Sequence, residues 1–458
     1  MIYSRELTNV IVIMLDSLRP DHIHQYGNEQ MKTPNIDSLA KDGVLFENAY
    51  PEGLPTIPVR TALFTGQYTL PFRPWRPLVQ EDLTLPEILA AYGYTTALIT
   101  DTYHLFKPNM NFHKAFNEWI WIRGQEGDAY RSCPPKHNPE DFMKPEMRGT
   151  HVEKLLIQYL RNISDREKEE DYFVAKVIRE SVRWLEGNIK NQPFFLWIDC
   201  FDPHEPWDPP PEYEKLYTDP NYKGKKIIHP KYGTTEWLTE EELKYIRGLY
   251  AGEVTFVDKW VGVLLEKLKE LELYDSSLVV LLSDHGVPIG EHGWILKHPH
   301  TLWSELVRMT LIVKFPENEY TSKRVKGLVE TCDVPATILD VIGLKRETRY
   351  MHGTSVMPLV KGEVERLKDY VITGYHASLH RCVRTEEWSF VFRPEGKDEL
   401  YNLVKDPGEK DNVIEEFKDV AKELASKLAR CTYIRATKRA ETLRRMLQIK
   451  YEMSELPL

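Results

Sequence analysis

The feature that most constrains the fold of this chain is a series of short aliphatic runs that alternate with helical patterns. Residues 10–15 read VIVIML and offer no polar position to either face of a strand. A strand of this kind has to be buried on both sides, as in a parallel sheet covered by helices. Further strand-like runs of buried type lie at 94–100, 193–199, 277–283 and 311–315.

Helical patterns fill intervals between these runs. Residues 33–41 predict a helix with Thr33 as its N-cap and a proline at its first position. A second helix is predicted at 85–92 with Gly93 as its C-cap, and a long one at 243–271. Strands that alternate with helices predict an α/β fold, in which a large, mixed but mostly parallel sheet is sandwiched by helices.

The sequence changes in texture after residue 359. Residues 414–449 form a charged helical pattern that packs either on the preceding strands or on another subunit, so a homo-oligomer formed through this helix is an open possibility. We predict a catalytic domain at 1–360 and a smaller C-terminal α+β domain at 361–458. Short runs typical of antiparallel strands lie in the second domain at 371–375, 382–384, 388–393 and 400–401.

Two segments of the catalytic domain lack regular patterning. Residues 107–166 and 203–226 are irregular and contain several prolines and aromatic residues. Loops that a rigid sheet positions often carry binding residues. We therefore expect both segments to be surface loops near the mouth of a site, where they would set substrate choice.

Composition excludes several classes of partner. The chain has 458 residues, of which 42% are hydrophobic, and its net charge of −10 disfavours binding to nucleic acid. Its five cysteines are scattered without a CxxC pair, so we expect buried free thiols in a reducing compartment. The first apolar run is too short for a signal peptide and no stretch has transmembrane length, so we expect a cytoplasmic protein without a membrane partner.

The run at 56–66, TIPVRTALFTG, is a candidate anion-binding site. It places the Thr56 hydroxyl before a proline-started apolar helix, and Arg60 follows one turn later. The first turn of a helix presents unpaired N–H groups and the positive end of the dipole, which attract an anion. Arg60 can fork onto two oxygens of a tetrahedral oxyanion. Taken alone, an ordinary polar helix cap is the commoner reason for a threonine in this place.

Five sequence blocks, in order along nearly the whole chain, resemble the sulfatase family of the alkaline phosphatase superfamily. The run at 56–66 is similar to the family signature at Pro58 and Arg60, with Thr56 where the family has a serine or a cysteine that is oxidised to formylglycine. The resemblance implies an alkaline-phosphatase-like fold and a metal-dependent ester hydrolase. The other blocks lie at 9–16, 33–46, 283–293 and 400–412.

The resemblance implies one divalent metal ion, held by Asp16, Thr56, Asp284 and His285. Asp16 and Asp284 each follow a predicted strand, and residues just past the carboxyl ends of strands meet at the ligand crevice of an open α/β sheet. The family often has an aspartate where this chain has Ser17, and an asparagine at His285. These departures remove oxygen ligands and add a nitrogen, which favours Mn²⁺, Zn²⁺ or Fe²⁺ over Ca²⁺. The Asp-His pair resembles the phosphonate monoester hydrolase and phosphodiesterase branch, and also choline sulfatases.

Thr56 itself departs from the sulfatase pattern. Its β-carbon carries a methyl group, so oxidation cannot give the aldehyde of formylglycine. A threonine alkoxide can still attack phosphorus, as in the nucleotide pyrophosphatase/phosphodiesterase branch, and water can hydrolyse the resulting phospho-threonine. We therefore expect a hydrolase of small anionic esters, namely phosphate mono- or diesters or phosphonate esters. A sulfatase acting without formylglycine, a phosphoryl transferase and a non-catalytic anion-binding relative are the alternatives.

Further candidates resemble residues that surround the anion in the family. His204 and Lys297 are expected to donate to the leaving-group oxygen. His104 is similar to the histidine of a Lys-x-His pair in which Thr102 replaces the lysine. A second metal ion is an alternative to a site with a single ion. Its ligands would come from Asp202, His204, His298 and His300.

Overall fold

The computed structural model describes residues 8–454. The β-strands are β1 Val10–Leu15, β2 Val44–Phe46, β3 Ala49–Tyr50, β4 Thr95–Thr100, β5 Glu118–Trp121, β6 Phe194–Cys200, β7 Gly233–Thr234, β8 Leu278–Leu282, β9 Trp294–Ile295, β10 Leu311–Lys314, β11 Lys323–Val325, β12 Val329–Glu330, β13 Val371–Gly374, β14 Arg381–Arg384, β15 Trp388–Phe392 and β16 Glu399–Asn402.

The α-helices are α1 Pro34–Lys41, α2 Thr56–Thr65, α3 Leu85–Ala91, α4 His151–Asn162, α5 Phe173–Asn188, α6 Pro211–Glu214, α7 Glu240–Glu270, α8 Ser304–Val307, α9 Asp333–Val341, α10 Met357–Lys361 and α11 Lys418–Ser454. Short 3₁₀ helices lie in the connections at Pro20–His22, His24–Tyr26, Tyr103–Leu105, Pro139–Asp141, Pro145–Met147, Glu169–Asp171, Glu291–Gly293, Pro316–Asn318 and Lys345–Tyr350.

The central sheet has eight strands in the order β11-β2-β10-β8-β1-β6-β4-β5. All neighbouring pairs are parallel except those of β10, which runs antiparallel to both β2 and β8. In β1, Val10 is opposite Phe195 on one side and Leu278 on the other. The carboxyl ends of β1, β6 and β8 therefore lie side by side at one edge of the sheet. The predicted mixed, mostly parallel sheet is confirmed.

Alternate side chains of β1 enter two hydrophobic cores. Ile11 and Ile13 pack with α1, α5 and α7 on one face of the sheet. Val10 and Val12 pack with α2, α3 and α9 on the other face. Since successive side chains of a strand point to opposite faces, both faces of the central strand are covered by helices. Each fully buried aliphatic side chain of this size contributes about 1.5–3 kcal/mol to folding.

Several helix ends differ in detail from the sequence-based prediction. Thr33 is the N-cap residue of α1, as predicted, but its hydroxyl donates to the Asp37 carboxylate at 3.2 Å and makes no capping hydrogen bond to a helix amide. Gly93 has φ +89° and lies one residue beyond the C-cap of α3. The amide of Gly93 donates to the Ala90 carbonyl and that of Tyr94 to the Leu89 carbonyl, as in a Schellman motif.

The prediction that 107–166 is entirely irregular is wrong. This segment contains β5, which is the last strand of the central sheet, and the twelve-residue helix α4. The helix was missed although its apolar residues recur at helical spacing, because the many prolines on its N-terminal side dominate the segment. Within residues 203–226, the short helix α6 is the only regular element that the structure describes.

The C-terminal region forms the predicted antiparallel sheet. Its strands β13-β14-β15-β16 are neighbours in chain order. Helix α11 packs on this sheet through Leu424 and Cys431. Arg435 of the same helix reaches the catalytic domain, where its Nη1 lies 3.1 Å from Glu52. The helix therefore covers its own sheet, while the domain division at 360/361 and an oligomer through α11 stay predictions.

The cysteines are free thiols, as expected, but one of them is exposed. Cys133 lies at the surface, whereas the cysteines at 200, 332, 382 and 431 are buried. Between residues 8 and 454, none of the helices combines the length and the apolar character that a bilayer crossing requires.

Candidate active site

Asp16 and Asp284 meet at the carboxyl edge of the central sheet. Asp16 directly follows β1, Asp284 comes shortly after the neighbouring β8, and both side chains are fully buried. The Ser17 amide donates to Asp284 Oδ1 at 3.0 Å, so the two strand ends are joined directly. His285 follows, and one ligand atom of each of these three acidic or imidazole side chains lies within 4.8 Å of the others. The structure thus assembles three of the four predicted metal ligands.

Two buried atoms of this cluster have no hydrogen-bond partner in the part of the chain that the structure describes. They are His285 Nε2 and Asp16 Oδ2, the latter having only an ion-pair contact with Arg60 Nη1 at 3.1 Å. His285 Nδ1 lies 2.8 Å from the Gly286 carbonyl, which can only accept, so Nδ1 carries the hydrogen and Nε2 keeps a lone pair. Orienting a ligating histidine through its other ring nitrogen is typical of metal sites. The donor set therefore fits a divalent cation.

The two carboxyl groups titrate in opposite directions. Burial, and next the negative charge of Asp284, raise the pKa of Asp16 well above its usual range. For Asp284, burial acts in the same direction, but the charges of His285 and Arg60 outweigh it and lower its pKa. Two carboxylates this close cannot both ionise freely without added positive charge. The pair is suited to sharing a cation.

Arg60 lies beneath this cluster and is completely buried. Its Nε and Nη2 donate to Asp199 at 2.9 and 2.7 Å, which occupies the fork predicted to hold an oxyanion. Its Nη1 is 2.8 Å from Asp284 and 3.1 Å from Asp16. Burial alone would lower the pKa of Arg60, but the three carboxylates raise it far above the ordinary value. Arg60 is therefore a fixed positive charge beside the ligands.

Asp199 is a site residue that sequence reasoning missed. It lies in β6, next to β1, and also accepts a hydrogen bond from the Thr102 hydroxyl at 2.7 Å. Its position near the carboxyl end of a predicted strand was the available signal, because Asp16 was found in the same way. Thr102 stands where the family that the sequence resembles has a lysine. Its hydroxyl donates to Asp199 and helps to hold that carboxylate in place.

Thr56 begins α2 and does not precede it. The N-cap is Pro55, and Pro58 is the third helical residue, so the predicted placement of Thr56 ahead of a proline-started helix is wrong by two positions. Pro58 still costs no hydrogen bond there, since the first amides of a helix have no intrahelical partner. The Thr56 carbonyl accepts from Arg60 Nη1 at 3.4 Å, the same nitrogen that contacts Asp284. Thr56 is 3% exposed and lies at this cluster.

His204 and Lys297 form a second buried group. Lys297 Nζ is 3.0 Å from His204 Nε2, and it donates to both oxygens of Glu205 at 2.9 and 2.7 Å. His204 Nδ1 lies 2.6 Å from the Glu205 carbonyl, so Nε2 is the nitrogen that accepts from the ammonium. Burial raises the pKa of Asp16, and the positive charge of Lys297 is among the effects that oppose this rise. Burial lowers the pKa of His285, and the Lys297 charge acts in the same direction.

Glu205 is the second site residue that the sequence did not reveal. Burial opposes its ionisation, but the charges of His204 and Lys297 outweigh burial and lower the pKa of Glu205 to about 2. Burial, assisted by Lys297, lowers the pKa of His204 to about 4. The pair is therefore a neutral imidazole beside a lysine–glutamate ion pair, and Tyr232 donates to the same carboxylate at 2.8 Å.

The predicted second metal site is not assembled. Asp202 accepts from the Gln125 side chain at 2.7 Å and from the Val174 amide at 3.1 Å, and His204 is held by Lys297. His300 instead lies beside His380 and Glu395 of the C-terminal region, and His298 stacks on His300 with ring centroids 5.4 Å apart. The four residues were grouped because two pairs are close in sequence, but the loop turns one pair away.

His104 lies in an aromatic group that includes Phe201, whose ring centroid is 4.0 Å from that of His204. Its ring centroid is 4.1 Å from that of Tyr103 and 5.0 Å from that of Trp75, which stands perpendicular to it. Burial lowers the pKa of His104 to about 3, so it is neutral and adds no cationic contact. Trp75 remains 40% exposed, which leaves an aromatic surface at the rim.

Comparisons with known proteins agree with this geometry. The sulfatase family model matches residues 8–344, and a model of the C-terminal region of N-sulphoglucosamine sulphohydrolase matches 290–433. An arylsulfatase of Clostridium perfringens (strain 13 / Type A) is 26% identical, covering 90% of this chain and 91% of its own. The multifunctional alkaline phosphatase superfamily protein PehA of Trinickia caryophylli is 26% identical over 77% of each chain. The crystal structure of the phosphonate monoester hydrolase of Agrobacterium radiobacter superposes with a TM-score of 0.70 at 22% identity, over 95% of this chain and 96% of that chain.

The class of protein follows from the fold together with these matches. A mostly parallel sheet with a ligand cluster at its carboxyl edge and a smaller antiparallel C-terminal sheet give the chain an alkaline-phosphatase-like fold, which it shares with that phosphonate monoester hydrolase. Since its family model spans most of the chain, the protein belongs to the sulfatase family.

Proposed function

We propose that this sulfatase-family protein hydrolyses small phosphate mono- or diesters or phosphonate esters, with Thr56 as the nucleophile. One observation carries the proposal. Arg60 Nη1 contacts the Thr56 carbonyl in the N-terminal turn of α2 and also Asp16 and Asp284, so the buried ligand cluster lies beside the turn that begins with Thr56. A hydroxyl at a helix N-terminus next to a cation site is suited to attack an anionic ester, because the dipole and the cation both favour its ionised form.

A divalent ion would be held by Asp16, Asp284, His285 and the Thr56 hydroxyl, and it would supply charge neutralisation and a lowered pKa of that hydroxyl. The nitrogen ligand and the small number of oxygens favour Mn²⁺, Zn²⁺ or Fe²⁺ over Ca²⁺. Arg60 holds Asp16 and Asp284 in place and adds fixed positive charge beneath them.

The residues of the chain divide the work in two steps. The Thr56 hydroxyl loses its proton to solvent, and Thr56 Oγ forms a bond to phosphorus while the bond from phosphorus to the leaving alcohol oxygen breaks. Lys297 donates a proton to that oxygen, and His204 and Glu205 hold its ammonium group in position. Water then attacks phosphorus and gives a proton back to the neutral Lys297 amine. The phosphorus–Thr56 bond breaks, and the Thr56 oxygen takes up a proton from solvent to restore the free hydroxyl.

The test is kcat/KM on p-nitrophenyl phosphate, a methyl phosphate diester, phenylphosphonate and sulfate, measured with protein loaded with Mn²⁺ or Zn²⁺. We expect a phosphorus ester to be preferred, and Thr56→Ala to lower its turnover by roughly three orders of magnitude or more. Thr56→Ser keeps a hydroxyl and is the matched control, so it should retain most of the activity. A Thr56→Ala enzyme with full activity would refute the assignment of Thr56 as the nucleophile.

A sulfuric ester hydrolase that acts without formylglycine is the second candidate. The arylsulfatase relative, which aligns along nearly its full length, favours it. Turnover of the sulfate ester above that of every phosphorus ester would establish this alternative. Transfer of the phosphoryl group to an added alcohol would indicate a transferase, and binding of the esters without turnover of any would indicate a non-catalytic relative.

A further inference from the structure

A second cluster of metal-ligating side chains bridges the catalytic domain and the C-terminal sheet. His300 lies in the loop before α8, His380 in the turn between β13 and β14, and Glu395 in the turn between β15 and β16. One ligand atom of each side chain lies within 4.8 Å of the others. His380 Nε2 is 3.4 Å from Glu395 Oε2, and His300 Nδ1 is 3.7 Å from Glu395 Oε1.

His380 has a buried ring nitrogen that no hydrogen bond satisfies. The residue is 8% exposed, and its Nε2 has no hydrogen-bond partner in the range 8–454. Its Nδ1 lies 3.3 Å from the Ser378 hydroxyl, a contact that orients the ring and leaves Nε2 directed at Glu395. Buried polar atoms are rarely left unpaired, so an unpaired ligand atom aimed at two further ligands points to a missing partner.

We propose that His300, His380 and Glu395 bind a divalent transition-metal ion of the Zn²⁺ type, separate from the catalytic ion. Two imidazoles and one carboxylate form a ligand set that zinc uses, with bonds of about 2.0–2.2 Å in a tetrahedral arrangement. The edges of such a tetrahedron measure roughly 3.3–3.6 Å. The two histidine–Glu395 separations, each to a different carboxylate oxygen, are 3.4 and 3.7 Å. Ca²⁺ and Mg²⁺ need more oxygen ligands than this cluster offers.

An ordinary ion pair between a charged histidine and Glu395 is the competing explanation. The nitrogen–oxygen distances of 3.4 and 3.7 Å to Glu395 are longer than the roughly 2.7–2.9 Å of a charge-assisted hydrogen bond, so Glu395 does not satisfy either ring nitrogen as an ion-pair partner. His300 also stacks parallel to Trp294 with ring centroids 5.3 Å apart, an arrangement that holds its ring in place. Glu395 is 40% exposed, which leaves room for a water molecule as the fourth ligand.

The location indicates a structural role. His300 and Lys297 belong to the same loop, and the His300 carbonyl already accepts from Arg393 Nη1 of the C-terminal region at 2.6 Å. A metal ion at this point would tie the Lys297 loop to two turns of the C-terminal sheet. Its removal should therefore loosen the contact between the domains.

The experiment counts Zn²⁺ ions by competition with a chromophoric chelator, using the full chain. We expect two ions per wild-type chain, one in His380→Gln and one in His285→Ala, and none in the double variant. His137→Gln removes an exposed histidine that belongs to neither ligand group of the described chain and should keep both ions. If the active site binds no zinc but the second cluster does, the wild type should bind one ion and His380→Gln none. Failure of the proposed active-site metal is therefore distinguishable from failure of the second metal site.

Glu395→Gln is a second test variant in case His380→Gln fails to fold, because the Glu395 side chain lies on an exposed turn and its replacement should not impair folding. In the His285→Ala background it should weaken Zn²⁺ binding by more than the roughly 10–100-fold that follows loss of a group hydrogen-bonded to a ligand. Ser378→Ala, which removes only such a group, should have the smaller effect. Unchanged number and affinity of zinc ions in both His380→Gln and Glu395→Gln would overturn the proposal.

Discussion

Arg60 and Asp199 form a completely buried, two-pronged ion pair at the carboxyl end of β6, with nitrogen–oxygen distances of 2.9 and 2.7 Å. Because Arg60 also contacts Asp16 and Asp284, the pair fixes the position of the proposed metal ligands from below. Asp199 thus acts on the site without being a ligand itself.

Asp199→Asn should destabilise the fold, because it weakens the pairing of a buried guanidinium. Removing one partner of a buried ion pair costs about 3–5 kcal/mol, and the two remaining carboxylates on Arg60 should keep the loss near the lower value. Thr102→Val is the matched control, since it removes only the hydroxyl that donates to Asp199 and should cost about 1 kcal/mol. The free energy of unfolding from denaturant titration measures both. Equal losses in the two variants would contradict this account.

His285→Ala should abolish binding of Mn²⁺ or Zn²⁺ at the active site, because its Nε2 is an unpaired, buried ligand atom. Calorimetric titration in the His380→Gln background would isolate this site from the second cluster. His24→Ala, which changes a half-exposed histidine outside both ligand groups, should leave the affinity unchanged. Retention of wild-type affinity in His285→Ala would remove His285 from the ligand set.

Lys297→Ala should lower kcat most for esters with a poor leaving group. Proton donation to a departing oxygen is worth roughly 10²–10⁴-fold when the alcohol is basic, and little when it is p-nitrophenol. The measurement compares phenyl phosphate with p-nitrophenyl phosphate in the wild type and the variant.

Glu205→Gln tests whether Glu205 positions the ammonium group of Lys297. It leaves Lys297 without its anionic partner, so the same trend should appear with a smaller size. A uniform loss across both esters in Lys297→Ala would show that Lys297 binds the anion and is not the acid.

Much of the sheet and half of the site were predictable because they depend on local sequence. Aliphatic runs that end in aspartate placed Asp16 and Asp284 at the same sheet edge, since parallel strands share a direction. The fork of Arg60 could not be assigned in this way, because a sequence does not show which carboxylate is nearest. The pairing of His300 with His380 depends on a contact between two domains, and no local pattern reports it.

Asp208 and Arg166 give a prediction of stability against pH that is independent of the active site. The two side chains form a buried ion pair, to which Lys226 adds a contact with Asp208 at 2.9 Å. Burial opposes ionisation of Asp208, but the charges of Arg166 and Lys226 outweigh it and lower its pKa to about 2, against an ordinary value of 3.8. Because the pKa is lower in the folded state, this stabilisation is complete above pH 4 and is lost as the pH falls through about 2.

Asp208→Asn should therefore reduce the free energy of unfolding by about 2 kcal/mol or more at pH 6, and this difference from the wild type should shrink by about 2 kcal/mol between pH 4 and pH 2. Urea titrations at a series of pH values measure the difference. Asp165→Asn breaks an exposed pair with Arg131, in which the aspartate is 58% exposed, and should cost less than about 1 kcal/mol. A difference for Asp208→Asn that stays constant down to pH 2 would mean that the ion pair does not lower the pKa of Asp208 in the folded protein.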